Sequence, residues 1–313
     1  MITAASFPTP HLALRSNDPA QTAAVSEFAE HQAHAANTIP RRYLRLNTVT
    51  ARTLGDLLDE LHAWRWRLAK GHGDPRGGHG VDGDAARFMT TISSAGANYD
   101  RLGAIGRMPV NPRWDEASHS YVDGEPTPAS RIMEHYGAIA RARLQAAGVD
   151  ELHTEVRLPD GRRVVGNSLV RGERARELAA ELIERLRSRG LDTSRFDTGQ
   201  DSDPVYAITA DHADRDTMRE AALQTLADAA ATGGHADRLA AWRTSRFLLF
   251  QAPHMKKGSD AVTRVFLVAV GAWLLDTAPV MQQDADLRCM TLGQVDAHTM
   301  PADANLLPQN DTR

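Results

Sequence analysis

The chain has 313 residues, of which 42% are hydrophobic, with a formal net charge of −4. That length supports one large domain, or a core with a helical extension, and the negative balance disfavours binding nucleic acid through bulk charge. The single cysteine, Cys289, excludes an intrachain disulfide, and the longest strongly apolar run, Val265 to Leu275, is too short to span a bilayer.

Residues 1–40 are rich in Ala, Ser, Thr, Pro and His with weak periodicity, which predicts a mobile leader with a helical stretch over Thr22 to Ala36. The start lacks the basic-then-apolar pattern of a signal peptide. Leu54, Leu57, Leu58 and Leu61 follow helical spacing and predict a helix over Thr53 to Leu68. Trp64 and Trp66 fall on opposite sides of it, which puts at least one in a core or interface. Lys70 to Asp84 holds six glycines and a proline and reads as a loop. Its His72, His79, Asp74, Asp82 and Asp84 could ligate a metal, but their spacing matches no standard zinc or calcium pattern. Asp84 to Leu102 reads as a helix and Arg107 to Asp123 as irregular.

Thr127 to Ala147 carries Ile132, Tyr136, Ile139 and Leu144 on one face, and Gly148 ends it. Its Arg131, Glu134, His135, Arg141 and Arg143 read as a solvated face. Thr154 to Val170 is the clearest β segment, a hairpin turning at Asp160-Gly161. Helices follow over Gly172 to Arg189, Asp214 to Ala231, Ala236 to Phe250 and Asp260 to Leu275, with a short strand over Val205 to Thr209. Pro253 stops the third of these helices. After Pro279 the chain turns polar and reads as a tail with little secondary structure.

Only three basic residues are lysines, Lys70, Lys256 and Lys257, and two of them are adjacent. They sit in the working loop Gln251 to Arg264, between a helix and a buried helix. Gly258 permits unusual backbone angles and close approach of a ligand. A helix starts at Ser259 or Asp260, and exposed N–H groups at a helix start bind anions with help from the helix dipole. Lys256 and Lys257 add two positive charges, Arg264 offers a fork of donors, and His254 is a candidate general base. A plainer reading makes Ser259 an N-cap, pairs Arg264 with Asp260 at i, i+4, and leaves the lysines solvated.

This loop resembles the motif of the Fic (Fido) transferases, His-Pro-Phe-x-acid-Gly-Asn-Gly-Arg-x-x-Arg, followed by a buried helix. Gly258 matches the first glycine and Arg264 the last arginine without a gap; Ser259 stands at the asparagine. Pro253 stands at the family's histidine with His254 one place later, and Lys257 replaces the magnesium-holding acid. Asp260 and Ala261 replace the second glycine and first arginine. The hairpin at Asp160-Gly161 resembles the family's flap, which aligns the target.

The resemblance implies a mainly α fold, a helical Fic-like core with one β-hairpin. The expected layout is a leader over 1–40, a helical part over 41–125, the core over 126–280 and a polar tail over 281–313. The implied activity moves a nucleotidyl or other phosphate-containing group from a phosphorylated small-molecule donor to a hydroxyl, with a protein as one candidate acceptor. His254 and Arg264 would be catalytic, and Lys256, Lys257, Gly258 and Ser259 would hold phosphate. No metal or cofactor is assigned, and neither nucleic acid nor membrane is an expected partner. The expected location is cytoplasmic, or secreted into a host cell as a bacterial effector. The alternatives are a non-catalytic phosphate-ligand-binding or interaction protein on this scaffold, and an unrelated helical enzyme of specialised metabolism.

Overall fold

The computed structural model describes residues 1–45, 48–72, 85–92, 99–102, 109–117, 120–188, 190, 193 and 204–307. It is mainly helical. Helices α1 (Pro19–Ser26), α2 (Phe28–Thr38), α3 (Arg41–Leu44) and α4 (Ala51–His72) open the chain. Strands β1 (Tyr99–Leu102), β2 (Arg113–Asp115) and β3 (Ser120–Val122) precede α5 (Pro128–Ala147). The hairpin β4 (Glu151–Arg157) and β5 (Arg163–Val170) leads to α6 (Gly172–Arg187) and β6 (Val205–Ile208). Then come α7 (His212–Thr232), α8 (His235–Gln251), α9 (Ser259–Leu275), α10 (Ala285–Thr291) and α11 (Gln294–His298). None of the described helices is long and apolar enough to cross a membrane.

Helix α9 organises the core. Ala261 through Gly271 are all buried, so every face of its first three turns needs a partner. Helices α2, α4 and α8 supply three sides. Gly271 admits a close neighbour: a Cβ there would lie 2.5 Å from Pro279 Cγ and 2.6 Å from Trp242 Nε1. Through that gap the buried Trp242 indole donates to Leu267 O at 2.8 Å, which satisfies its N–H.

The sheet runs β1-β6-β5-β4, antiparallel throughout. Alternation sorts its side chains. Leu169, Val205 and Ala207 pack on α5, while Val170 and Tyr206 pack on α6. Helix α5 begins with a capping box between Thr127 and Ser130 and ends at the left-handed Gly148, as the sequence suggests. Toward the hairpin tip β6 no longer flanks β5. There Asp214 Oδ2 accepts the Val165 N–H at 3.2 Å and Gln251 Oε1 accepts the Asn167 N–H at 2.8 Å. Side chains of α7 and α8 thus finish the strand edge.

Four sequence expectations need correction. The first 40 residues form no free leader. Ile2, Phe7 and Ala29, Ala33 and Ala36 of α2 are buried in the main core. Small alanines at helical spacing pack closely, although they give a weak hydrophobic signal. Residues 281–307 are likewise folded, burying Met281, Leu287, Cys289, Met300 and Leu306. Their polar side chains answer buried arginines. Asp303, 1% exposed, accepts Arg246 Nη1 at 2.5 Å and Nη2 at 3.0 Å, and Arg243 Nε at 3.0 Å. Residues 308–313 lie outside the described set.

The expected helix over Asp84 to Leu102 is instead a short 3-10 turn at Ala86–Phe88 and strand β1, with 93–98 undescribed. The irregular stretch after Arg107 contains the β2–β3 hairpin. In the glycine-rich Lys70 to Asp84 stretch, α4 extends to His72 and residues 73–84 lie outside the described set. Among the described residues no group of three His, Cys, Asp or Glu side chains is placed to hold a metal ion. On the α5 face expected to be solvated, Arg141 and Arg143 are half-buried, and Arg143 donates to Thr291 O.

The packed start of the chain makes a test. Phe7 is 1% exposed. Phe7→Ala is expected to cost about 3–5 kcal/mol of stability, read as a lower urea midpoint. A mobile segment would give an unchanged midpoint.

Candidate functional site

The loop between α8 and α9 is held by short, local interactions. Ala252 leaves helical geometry and Pro253 follows. An antiparallel bridge then ties the loop to 90–92: Ile92 N donates to His254 O and Lys256 N donates to Thr90 O, each at 2.9 Å. Ser259 Oγ accepts from Met255 N and donates to Met255 O, both at 2.9 Å. Its hydroxyl closes the loop and is not an N-cap bond. Gly258 is the N-cap, at φ 83°. A Cβ there would also lie 2.7 Å from Phe88 Cδ1 and 2.9 Å from Arg65 Cγ. Glycine is required on both counts.

One side of this loop forms the wall of a cavity of about 290 Å³. Lys256, Lys257, Gly258 and Ser259 line it together with Asp260. The lining also includes Asn167 of β5, Ile208 at the end of β6 with Thr209 after it, and Leu12, Ala13 and Arg15 from the N-terminal segment. Phe250, Met255 and Met290 make part of it apolar. Helix geometry leaves the N–H groups of residues 259–261 without intrahelical acceptors, so the positive end of the α9 dipole adjoins this space. Arg15, Lys256 and Lys257 set three cations against the two carboxylates Asp260 and Asp286 in the lining.

Arg264 does not serve this cavity as the sequence suggested. Its side chain is 1% exposed, and its donors go to Asp260 Oδ1 at 2.8 Å, Gln282 O at 2.8 Å, Gln283 O at 3.3 Å and Asp286 Oδ1 at 3.4 Å. Burial opposes its charge, yet Asp260 and Asp286 hold its pKa above the ordinary arginine value. The plainer i, i+4 pairing is the one realised. The guanidinium neutralises two carboxylates beside the cavity and anchors the segment before α10.

His254 faces the other way. It lines a separate groove of about 1000 Å³ between α4 and α7, to whose lining Pro159, Asp160 and Arg162 of the hairpin turn also contribute. The groove also contains Asp59, His212, Asp216 and Arg219. Arg219 Nη2 is 2.6 Å from Asp59 Oδ1, and His212 Nδ1 is 3.2 Å from Asp216 Oδ2. Burial lowers the His254 pKa, with Arg219 adding to it and Asp59 and Asp216 opposing. Its ring centroid is 5.9 Å from that of the buried His62.

The structure therefore brings Lys256, Lys257, Gly258 and Ser259 together, and separates them from His254 and from the Arg264 guanidinium. Sequence reasoning missed Asn167 and took Gln251 only as the start of the loop; together they join the hairpin to α8 and α10. Gln251 Nε2 donates to Cys289 O, and Asn167 Nδ2 donates to Met290 O at 2.6 Å. The available signal was Gly166, whose missing Cβ leaves room for Gln251 Oε1, with Val156 Cγ2 at 2.9 Å. The chain matches no protein-family model and no curated protein.

The buried His62 behind His254 generates a pH prediction. Burial, with His254 and Arg219 adding, pushes His62 down to about 3. An unfolded histidine takes up its proton near pH 6.5. Below that value the unfolded chain binds a proton that folded His62 refuses. The stability due to neutral His62 is thus full above about pH 6.5 and is lost as pH falls from there toward 3. The slope is about 1.4 kcal/mol per pH unit for this one proton. His62→Phe is expected to flatten the acid limb of a stability–pH profile from urea titrations by about that amount. An unchanged limb would contradict the assignment.

Proposed function

We propose that this protein binds a small phosphate-bearing ligand in the cavity beside Lys256–Ser259, on a helical scaffold with a Fic-like layout. One observation carries the reading: the amino end of the buried helix α9 and two of the chain's three lysines open on the same cavity. A phosphate placed there would meet N–H donors, a helix dipole and the Lys256 ammonium, with Lys257, whose ammonium rests 5.2 Å from the Phe88 ring centroid, as the second cation. The helix–loop–helix with an adjoining hairpin supports the scaffold likeness. Binding is favoured over transfer by His254, because the imidazole lines a different cavity from the basic wall.

A second reading keeps transfer of a phosphate-containing group to a hydroxyl, with His254 as base. It draws support from the same imidazole, which burial biases toward the neutral form that can accept a proton, and from the hairpin turn that lines the same groove.

Calorimetric titration with pyrophosphate and nucleoside phosphates tests both. Charge-assisted hydrogen bonds contribute roughly 1.5–3 kcal/mol each. The double variant Lys256→Ala/Lys257→Ala is therefore expected to lose about a hundred-fold or more in affinity while melting near the wild-type temperature. No binding by the wild type would end the phosphate reading. His254→Ala is expected to keep its affinity; a transfer assay that loses turnover in this variant alone would establish the second reading.

A further inference from the structure

The groove between α4 and α7 has a chemistry opposite to that of the basic cavity. Among the described residues of its lining, Asp56, Asp59, Asp160, Asp216, Glu220 and Asp228 supply six carboxylates. Arg52, Arg162 and Arg219 supply three guanidiniums. The lining thus carries an excess of three negative charges, against −4 for the whole chain, so most of the protein's acid surplus lies along this groove. Two of these arginines are already paired, Arg219 with Asp59 and Arg162 with Asp160, each at 2.6 Å. Asp56, Asp216, Glu220 and Asp228 then outnumber Arg52, the remaining guanidinium of the described lining.

The two helices run antiparallel along the groove. Asp59 meets Arg219, and a Cβ on Gly55 would lie 3.7 Å from Leu223 Cδ1, so residue numbers fall on α4 as they rise on α7. His212, Asp216, Glu220, Gln224 and Asp228 recur at every fourth residue of α7, and all of them line the groove. Helical rise makes that stripe about 24 Å long. Exposure sorts the lining. Asp56 and Asp59 on α4 and Glu220 and Asp228 on α7 are exposed, whereas Ala51, Gly55 and Ala221 are half-buried and Leu223 is buried. The groove therefore has small and apolar residues at its floor and exposed acids on both walls.

We propose that this groove docks a basic amphipathic helix of a partner protein. Its apolar stripe would lie on the Gly55–Leu223 floor, and lysines or arginines flanking that stripe would meet the acids of both walls. The space between two packed antiparallel helices suits a third helix, whose side-chain ridge enters it. A stripe of about 24 Å matches a helix of about sixteen residues. An extended strand sends successive side chains to opposite faces and cannot serve the floor and both walls together. A polyamine has the charge but no apolar stripe for the floor. The proposal stands apart from the phosphate reading and concerns a different surface.

Fluorescence anisotropy with the full chain tests it. The probe is a labelled leucine–lysine peptide of about sixteen residues with its leucines on one helical stripe. A scrambled peptide of the same composition and spermine are the comparisons. The wild type is expected to bind the striped peptide about tenfold or more tighter than the scrambled one, the ratio that burying one leucine provides. Asp56→Asn/Glu220→Gln/Asp228→Asn is expected to lose about tenfold in affinity for the striped peptide. Glu173→Gln/Glu177→Gln/Glu184→Gln removes the same charge from exposed positions on α6 and is expected to change it by less than about twofold. Gly55→Phe fills the floor without altering charge and is expected to weaken the striped peptide to a similar degree; it carries the test should the first triple variant fail to fold. No binding of the striped peptide overturns the proposal, as does equal binding of the scrambled peptide or of spermine. Equal losses in the two triple variants would assign the effect to bulk charge and overturn it, and so would an unchanged affinity in Gly55→Phe. None of these outcomes bears on phosphate binding beside Lys256–Ser259.

Discussion

The rest of the molecule follows from one helix that cannot touch water. Ala261 to Gly271 of α9 is buried on every side, so the chain must supply a complete coat for it. Helices α2, α4 and α8 are three parts of that coat. Residues from both ends of the sequence join the same core, Ile2 and Phe7 at one end and Met300 and Leu306 at the other. A helix of this kind also has a rigid amino end. The loop before it inherits a fixed position, and Gly258 turns into it where Phe88 and Arg65 leave no room for a side chain.

Two buried arginines add direction to a core that hydrophobic burial alone would leave loosely specified. Arg246 on α8 and Arg264 on α9 are each 1% exposed. A buried guanidinium must be paired or it becomes a liability. Asp303 answers the first, Asp260 and Asp286 the second, with carbonyls of His298, Gln282 and Gln283 completing the sets. The C-terminal segment is docked by these pairings. This explains why Arg264, in the position of a motif arginine, carries out structural work, and why its charge offsets two carboxylates at the cavity edge.

Much of the fold was legible because large apolar residues recur at helical spacing, as in Leu54, Leu57, Leu58 and Leu61, all buried along α4. The apolar face of Ile132, Tyr136, Ile139 and Leu144 marked α5 and Gly148 its end, and Asp160-Gly161 marked the hairpin. What escaped notice has physical causes. Helix α2 buries alanines, whose small area gives little contrast with a mobile segment. The polar segment after Pro279 looked solvated because the partners of its acids are arginines far away in sequence. Strand β1 owes its extended form to pairing with β6, about a hundred residues on. The basic loop was found because Lys256, Lys257, Gly258 and Ser259 are consecutive. The divergence of His254 was hidden, because the loop's path is set by its tie to residues 90–92, a pairing far away in sequence that no local pattern announces.

The scarcity of lysine has a chemical consequence at the cavity. Guanidinium groups do not acylate under conditions that modify amines, so the many arginines of this surface are silent to such reagents. Lys70 lies with its ammonium 4.9 Å from the Trp66 ring, far along α4. The other two lysines stand on the cavity wall. Side-chain acylation, carbamylation or the attachment of an amine-directed tag therefore has three side-chain targets, two of them on that wall. In effect the composition of the chain has put two of its three side-chain amines at the candidate site.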